Sequence, residues 1–470
     1  MQEEMFRISS NLQQKISSEQ AFHYRIVPVS EDEKGLLFKT DVRPLDGLLA
    51  ELNIVLDTDV LLEPCDSEEL ERYLTTNYRI GTKNTSSTLG YTNDFLEKIL
   101  HNAKGLGSSD IHFEPYETRC RVRYRLDGKL LEQYSIPIGD YPTMVNKVKI
   151  RANLDIAEKR LPQDGRITVK NGTDEFDIRV STLPTLFGEK IVLRILSRDT
   201  GSVELAQLGF SEKELERYRE GIKKPNGIVL ISGPTGSGKT TTLYATLKLL
   251  NTEDTNVLTI EDPIEYTLEG INQMQLKENI GLDFASSLRT FLRQDPDIIM
   301  VGEIRDVKTA NMAIRAALTG HLVLSTIHTN SAWGTISRLI DMGVPPFLIA
   351  STLNMSVAQR LIRKLCNNCK QKVALDKDLL PKQFTVPKEW THHFKPVGCP
   401  KCHQTGYAGR KAIYEILPVD SDLSTAIKQN RLEIDDYLKK RHIATLRSNA
   451  IEMVQQGITS IDEVYSLLIN

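Results

Sequence analysis

The sequence predicts an α/β fold built around a parallel sheet, with a smaller α+β domain ahead of it, and three observations carry that prediction. A β-branched run, Ile228 to Ile231, leads into a G-x-x-x-x-G-K-T loop and then a helix marked by Leu243, Leu247 and Leu250 at helical spacing. Three further apolar runs, Val257 to Ile260, Ile298 to Val301 and Leu322 to Leu324, each end in polar residues, as strands do when a parallel sheet offers its carboxyl edge to a ligand. Upstream, Arg119 to Tyr134 alternates polar and apolar residues and turns at Asp127-Gly128, the signature of an antiparallel hairpin.

Composition narrows the classes. The 470 residues suffice for roughly three domains. A hydrophobic fraction of 40%, a charged fraction of 26% and a net charge of −3 fit a soluble globular chain with no global pull toward nucleic acid or anionic membrane. No apolar run approaches the roughly 18 residues of a spanning helix, and MQEEMFRISS lacks a signal pattern, so direct membrane insertion is not expected and the cytosol is the expected compartment. There the six cysteines are expected to be thiols or metal ligands rather than disulfides.

Taken in order, residues 1–80 read as a small recruiting domain, with an amphipathic helix and short strand over Arg43 to Leu62 and another helix over Ser67 to Asn77. Residues 81–91, rich in Gly, Ser and Thr, read as a flexible linker. Residues 92–198 form the α+β domain; Arg166 in LPQDGR and Arg179 and Arg194 on its later strands are the candidates for phosphate contacts, since a guanidinium fork suits phosphate oxygens, whereas most arginines on alternating strands, such as Arg121, Arg123 and Arg125, read as a solvated face. Residues 199–226 read as a second linker containing one charged helix, and residues 227–470 as the nucleotide domain.

The chemistry sits in that last domain. The glycines Gly233, Gly236 and Gly238, with Pro234, Thr235 and Ser237, let successive N–H groups face one anion at a helix start. Lys239 is placed to reach the β- and γ-phosphates of ATP, and the Thr240 hydroxyl, followed by Thr241, to ligate Mg²⁺. Glu261, Asp262 and Glu265 follow one strand and Glu303 another; acids at two strand ends beside a phosphate loop serve to hold hydrated Mg²⁺ and to polarise the attacking water. Gly302 stands where many nucleotide hydrolases have aspartate, so Glu303 acts alone there. His321 and His328 flank the third strand; each reads either as a satisfied structural histidine or as a γ-phosphate sensor.

The segments GPTGSGKTTTLYATL, TIEDPIEY, DPDIIMVGEIRD and TGHLVLSTIHTN resemble, in order, the phosphate loop, aspartate box, Walker B segment and histidine box of the secretion ATPases that power type II secretion and type IV pilus assembly. SSDIHFEP, RVRYRLDG, LDIAEKRLPQDGR and DIRVSTLPTLFGEKIVLRIL resemble the domain that precedes them in that family. The resemblance covers about Thr92 to Leu417. It implies a RecA-like P-loop NTPase domain behind a PAS-like α+β domain. Lys239 and Thr240 would then bind phosphate and Mg²⁺, Glu303 would be the Walker B acid, Glu261, Asp262 and Glu265 the aspartate box, and His321 and His328 the histidine box. Arg166, Arg179 and Arg194 would approach nucleotide from the smaller domain. Glu303 and Glu265 are the pair expected to govern metal and water, with the identity of the base open. The family works as hexameric rings at the inner membrane, on a polytopic platform protein, with the N-terminal domain docking a cytoplasmic partner.

Two C-x-x-C pairs, Cys366 with Cys369 and Cys399 with Cys402, are separated by 29 residues and point to a closed structural Zn²⁺ site; an iron–sulfur cluster or four unrelated thiols are the alternatives. TGYAGR after them resembles the tetracysteine element of assembly and export members of the family, which retraction members generally lack. His392, His393 and His403 read as surface residues. Against a secretion motor stand two other readings: a nucleic-acid-translocating ring, which expects a basic channel with interleaved aromatics that the 6% aromatic content does not favour, and a nucleotide-dependent adaptor that does not hydrolyse.

Overall fold

A computed structural model of the chain describes residues 12, 15–16, 18–32, 35–56, 58–67, 70, 73–74, 87–88, 92, 94–171, 174–196, 203–384, 386–387, 390–431 and 433–469. Of the helix expected over Ser67 to Asn77, the described residues Ser67, Leu70, Tyr73 and Leu74 are helical, and most of the linker 81–91 lies outside the described residues.

Two seven-stranded sheets organise the molecule. In the larger, the strand order is Asn272–Gln275, Val257–Glu261, Ile298–Val301, Leu322–Ile327, Gly227–Ser232, Leu353–Leu365 and Tyr407–Pro418. The first six are parallel and the last runs antiparallel at the edge. Every residue of the four central strands is buried, because apolar side chains cover both faces. Leu288, Ala313, Ile336 and the C-terminal helices cover one face, while Tyr218, Leu243, Leu247 and Tyr414 cover the other.

Residues 203–222 belong to this second layer and not to a free linker, a correction to the expectation for 199–226. The helix Glu212–Ile222 buries Tyr218 and Ile222, Tyr218 hydrogen-bonds Thr246 at 2.7 Å, and Phe210 stacks on Tyr414 with ring centroids 3.7 Å apart. Its many charges mask a narrow apolar stripe that the sheet needs as cover.

Two helices leaving the carboxyl edge of this sheet are capped by side chains. Asp306 accepts from the Thr309 N–H at 2.9 Å and Ser331 from the Gly334 N–H at 3.0 Å. Buried Glu415 accepts the first N–H groups of two helices at once, from Ala332 at 2.8 Å and from Leu446 at 3.1 Å, at the starts of Ala332–Asp341 and Leu446–Gln455.

The smaller sheet has the order Ser87–Thr88, Lys129–Pro137, Arg119–Leu126, Asp110–Pro115, Gly188–Leu196, Asp174–Thr185 and Gln163–Asn171. All its pairings are antiparallel except at Ser87–Thr88, which pairs with Tyr134 and Ser135 inside the segment expected to be linker. Positive φ at Asp127 (46°) and Gly128 (84°) makes the tight turn that the sequence predicts. The helices Phe95–Gly105 and Tyr141–Arg151 pack on one face. The other face alternates charges: Glu114 holds Arg123 at 2.7 Å, Arg121 at 3.1 Å and Lys190 at 3.3 Å.

A third, three-stranded sheet of Ile26–Asp32, Gly35–Thr40 and Val60–Pro64 packs with the helix Leu45–Leu56 near the N-terminus. Among the described residues no helix is long and apolar enough to cross a membrane.

Candidate active site

The phosphate loop joins the strand Gly227–Ser232 to the helix Lys239–Leu250. Gly233, Gly236 and Gly238 adopt positive φ of 149°, 80° and 88°. At Gly233 a Cβ would come within 2.5 Å of the Gln359 carbonyl oxygen, so only glycine fits. Unlike the two helices capped by Asp306 and Ser331, Lys239–Leu250 has no side chain on its first N–H groups, which leaves them for an anion. Ser237 Oγ, buried in the same loop, also has no hydrogen-bond partner. The Lys239 ammonium folds over the loop, donating to the carbonyls of Gly233 at 2.9 Å and Pro234 at 3.1 Å. Burial lowers its pKa from the ordinary lysine value, Glu303 opposes that shift, and Arg360 adds to it. Pro234, Thr235 and Thr240 are exposed and Thr241 half-buried at the helix start.

The strand-end acids divide into two kinds. Glu303 faces the loop, ion-paired with Arg305 and with its Oε2 3.4 Å from His328 Nε2. At Gly302 before it, a Cβ would lie 3.3 Å from the Ile260 carbonyl oxygen, a tight contact. Asp262 is exposed and Glu265 half-buried on the neighbouring loop. Glu261 is 4% exposed and points into the core, accepting from Tyr244, from Thr259 at 2.6 Å and from Gln273 at 3.1 Å. Both its oxygens are engaged by core side chains, which gives Glu261 a structural role at the strand end, against its assignment to the nucleotide set.

His321 is the second correction. The parallel register sets Gly227 opposite Leu322 and Ser232 opposite Ile327, so His321 lies at the amino edge while the loop lies at the carboxyl edge. The six residues of Leu322–Ile327 separate them, five steps of about 3.3 Å each or roughly 16 Å. There His321 Nδ1 lies 2.8 Å from the Ala316 carbonyl oxygen and 3.1 Å from Thr319 Oγ1, a helix-end role.

The three arginines align. Arg166 sits opposite Arg179, and Arg179 opposite Arg194, giving one row across adjacent strands. Arg179 crosses to the larger domain, donating to the Ile264 carbonyl at 2.5 Å and pairing with Glu265 at 3.3 Å. Arg194 pairs with Asp110 at 2.9 Å, and Arg166 with Asp177 at 2.6 Å while remaining 63% exposed. A second contact joins the same domains: Asp127 Oδ2 accepts the Gly409 N–H at 2.8 Å beside the cysteine cluster.

The four sulfurs of Cys366, Cys369, Cys399 and Cys402 all lie within 4.8 Å of one another. Cys366–Cys399, Cys369–Cys402 and Cys399–Cys402 are separated by 3.8, 3.8 and 3.7 Å. Tetrahedral Zn²⁺ with bonds of about 2.3 Å requires sulfur–sulfur edges of about 3.8 Å, which these three edges match. Backbone N–H groups of Gly398 and Gly406 point at Cys369 and Cys402 sulfurs at 3.3 and 3.2 Å, supporting thiolate charge. Of the nearby histidines, His393 is buried and not a surface residue.

Sequence reasoning missed Gln359, Arg360 and Arg305. Gln359 bridges the loop and its helix, donating to the Ser237 carbonyl at 2.9 Å and accepting from Thr242 at 3.0 Å. A Gln-Arg pair ending an otherwise apolar run was the available signal.

The comparisons agree with this geometry. A family model described as type II/IV secretion system protein matches residues 86–466. The type IV pilus assembly ATPase PilB of Pseudomonas aeruginosa is 48% identical over 375 residues, covering 79% of this chain and 66% of that protein. The type II secretion system ATPase E of Vibrio cholerae is 46% identical over 373 residues, covering 78% and 74%. The chain thus spans just under two thirds of the pilus relative. Among solved structures, the Legionella pneumophila ATPase DotB superposes with a TM-score of 0.61 at 23% identity, over 82% of this chain and 97% of that one, and shares the fold. The ADP-bound pilus retraction motor PilT gives 0.54 at 26%, over 79% and 96%. With the RecA-like α/β sheet, the phosphate loop and the tetracysteine cluster in place, the chain belongs to the type II/IV secretion system protein family.

Proposed function

We propose that the chain is a Mg²⁺-dependent ATPase, hydrolysing ATP to ADP and phosphate, that acts as a homo-hexameric motor on the cytoplasmic side of the inner membrane and drives assembly of a type II secretion pseudopilus or a type IV pilus. The observation that carries this reading is the meeting of Lys239, Glu303 and His328 at one strand edge, beside an uncapped helix start, with Arg179 of the other domain fastened to Glu265.

On this reading the loop amides and Lys239 bind the β- and γ-phosphates, and Thr240 with Glu303 holds Mg²⁺. That ion, when bound, neutralises phosphate charge. Glu303 or Glu265 orients the attacking water and takes its proton, and His328 donates to the γ-phosphate. Arg179 and Arg194 couple the chemistry to closure of the α+β domain, because the loop carrying Glu265 is also the surface that Arg179 grips. Cys366, Cys369, Cys399 and Cys402 hold a structural Zn²⁺. The platform is a polytopic membrane protein, with the N-terminal domain docking a cytoplasmic partner; nucleic acid is not the substrate.

The test is phosphate release by the wild-type chain with and without Mg²⁺, followed by affinity isolation of a Glu303→Gln form from membranes of the source cell. Turnover that needs Mg²⁺, and co-isolation of a polytopic protein with pilin-like subunits, support the reading. No turnover overturns the enzyme; recovery of nucleic acid alone overturns the platform.

A further inference from the structure

Arg360, on the strand beside the phosphate-loop strand, lies where three segments of the site meet. Its NH1 donates to the Gln359 carbonyl at 3.0 Å, and a Cβ on Gly233 would sit 3.3 Å from the same nitrogen, so the guanidinium rests against the first glycine of the loop. Its NH2 donates to the Asn330 carbonyl at 3.0 Å and lies 3.3 Å from Asn330 Oδ1. Asn330 is two residues beyond His328, the residue that faces Glu303.

His328 is 51% exposed, so packing does little to fix its ring. Its position depends on the backbone that carries it. On the far side that backbone is secured where Thr329 Oγ1 meets Thr335 Oγ1 at 2.9 Å and where Ser331 caps its helix. On the near side, Arg360 ties it to the strand that carries Gln359, whose side chain donates to the Ser237 carbonyl of the phosphate loop.

We infer that Arg360 is a positioning residue: its guanidinium bridges the carbonyls of Gln359 and Asn330, fastens the His328–Asn330 loop to the strand whose Gln359 side chain holds the phosphate loop at Ser237, and so sets His328 against Glu303. This rests on the hydrolytic reading above. A planar fork spans two carbonyls in a fixed geometry, whereas a lysine ammonium is a point charge on a flexible stem. The bridge therefore predicts that charge alone does not substitute. If Arg360 served only to add positive potential near the phosphates, lysine would suffice.

The experiment uses the full chain and compares Arg360→Lys, Arg360→Ala, His328→Ala and the Arg360→Ala/His328→Ala double variant, measuring kcat and KM for ATP, ADP affinity with a fluorescent ADP, and amide hydrogen exchange. Both Arg360 variants should lose about tenfold in kcat with ADP affinity kept within about twofold, and the double variant should be no slower than His328→Ala alone. Exchange over residues 328–331 should rise in both, with residues 233–238 unchanged. Wild-type kcat in Arg360→Lys, multiplicative losses in the double variant, or loss of ADP binding in both Arg360 variants would each overturn the inference while leaving the hydrolase intact. Absence of turnover in the wild type would overturn both.

Discussion

The two seven-stranded sheets place charge in opposite ways. The parallel sheet is buried on both faces, so its chemistry is confined to strand ends: the phosphate loop, Glu303 and His328 cluster at the carboxyl edge, and side chains in mid-strand are core. The antiparallel sheet buries one face only and carries charges along its length, including the row Arg166, Arg179 and Arg194. A sheet buried on both sides builds a site at its rim, and a half-covered one presents a charged plane to it. Arg179 is where rim and plane touch.

The largest expected effect tests the rim. Lys239→Ala should lower ATP turnover by about 10²–10³-fold, read as phosphate release, because nothing else in the loop offers a mobile cation to the γ-phosphate; turnover near wild type would remove the carboxyl edge as the site. Next comes the plane. Arg179→Ala should cost about tenfold or more in kcat, and Arg166→Ala clearly less, since Arg166 is held by Asp177 and makes no such crossing; equal losses would mean that the row acts as a unit.

Metal removal is third. Cys399→Ser should abolish bound zinc, measured by atomic emission against about one ion per chain in the wild type, and lower Tm by several degrees. Retention of zinc would dissolve the four-sulfur assignment. Fourth is Glu114 on the charged plane. Burial pushes its carboxyl up, but Arg123, Lys190 and Arg121 overcome this and hold it at about 2 against an ordinary 4.5. A depressed pKa stabilises the fold fully above the ordinary value and ceases to do so as pH falls through the depressed one. The wild type should therefore exceed Glu114→Gln in stability above pH 4.5, with the two converging toward pH 2 in chemical denaturation. The smallest effect separates the edges: His321→Ala should leave kcat within about twofold, and His328→Ala should lower it about tenfold.

The rim was legible in the sequence because its chemistry is local: strand, loop and helix follow one another from Gly227 to Leu250, and Glu303 directly follows its strand. Arg360 and Gln359 were not, because the crossover brings Gln359 against Thr242 from 117 positions away. His321 misled for a physical reason. A histidine at each end of an apolar run looks symmetric, while a parallel sheet is polar and only one end meets the ligand. Glu261 misled similarly, because the last residue of a strand can turn inward as readily as out, and Tyr244, Thr259 and Gln273 were waiting for it. The sequence singles out the three arginines, but that they share one row follows from strand register, which their spacing in the chain does not reveal.

Glu415 gives its two oxygens to two different helices. A glutamine there would keep the shape yet bring a single acceptor and an amide that can only donate. One of the helices starting at Ala332 and Leu446 would then face an N–H instead of an oxygen. The first of these helices follows directly on the loop that carries His328, and the second belongs to the C-terminal segment. A change of one oxygen for one nitrogen would thus set the hydrolytic rim and the C-terminus in competition for the same atom.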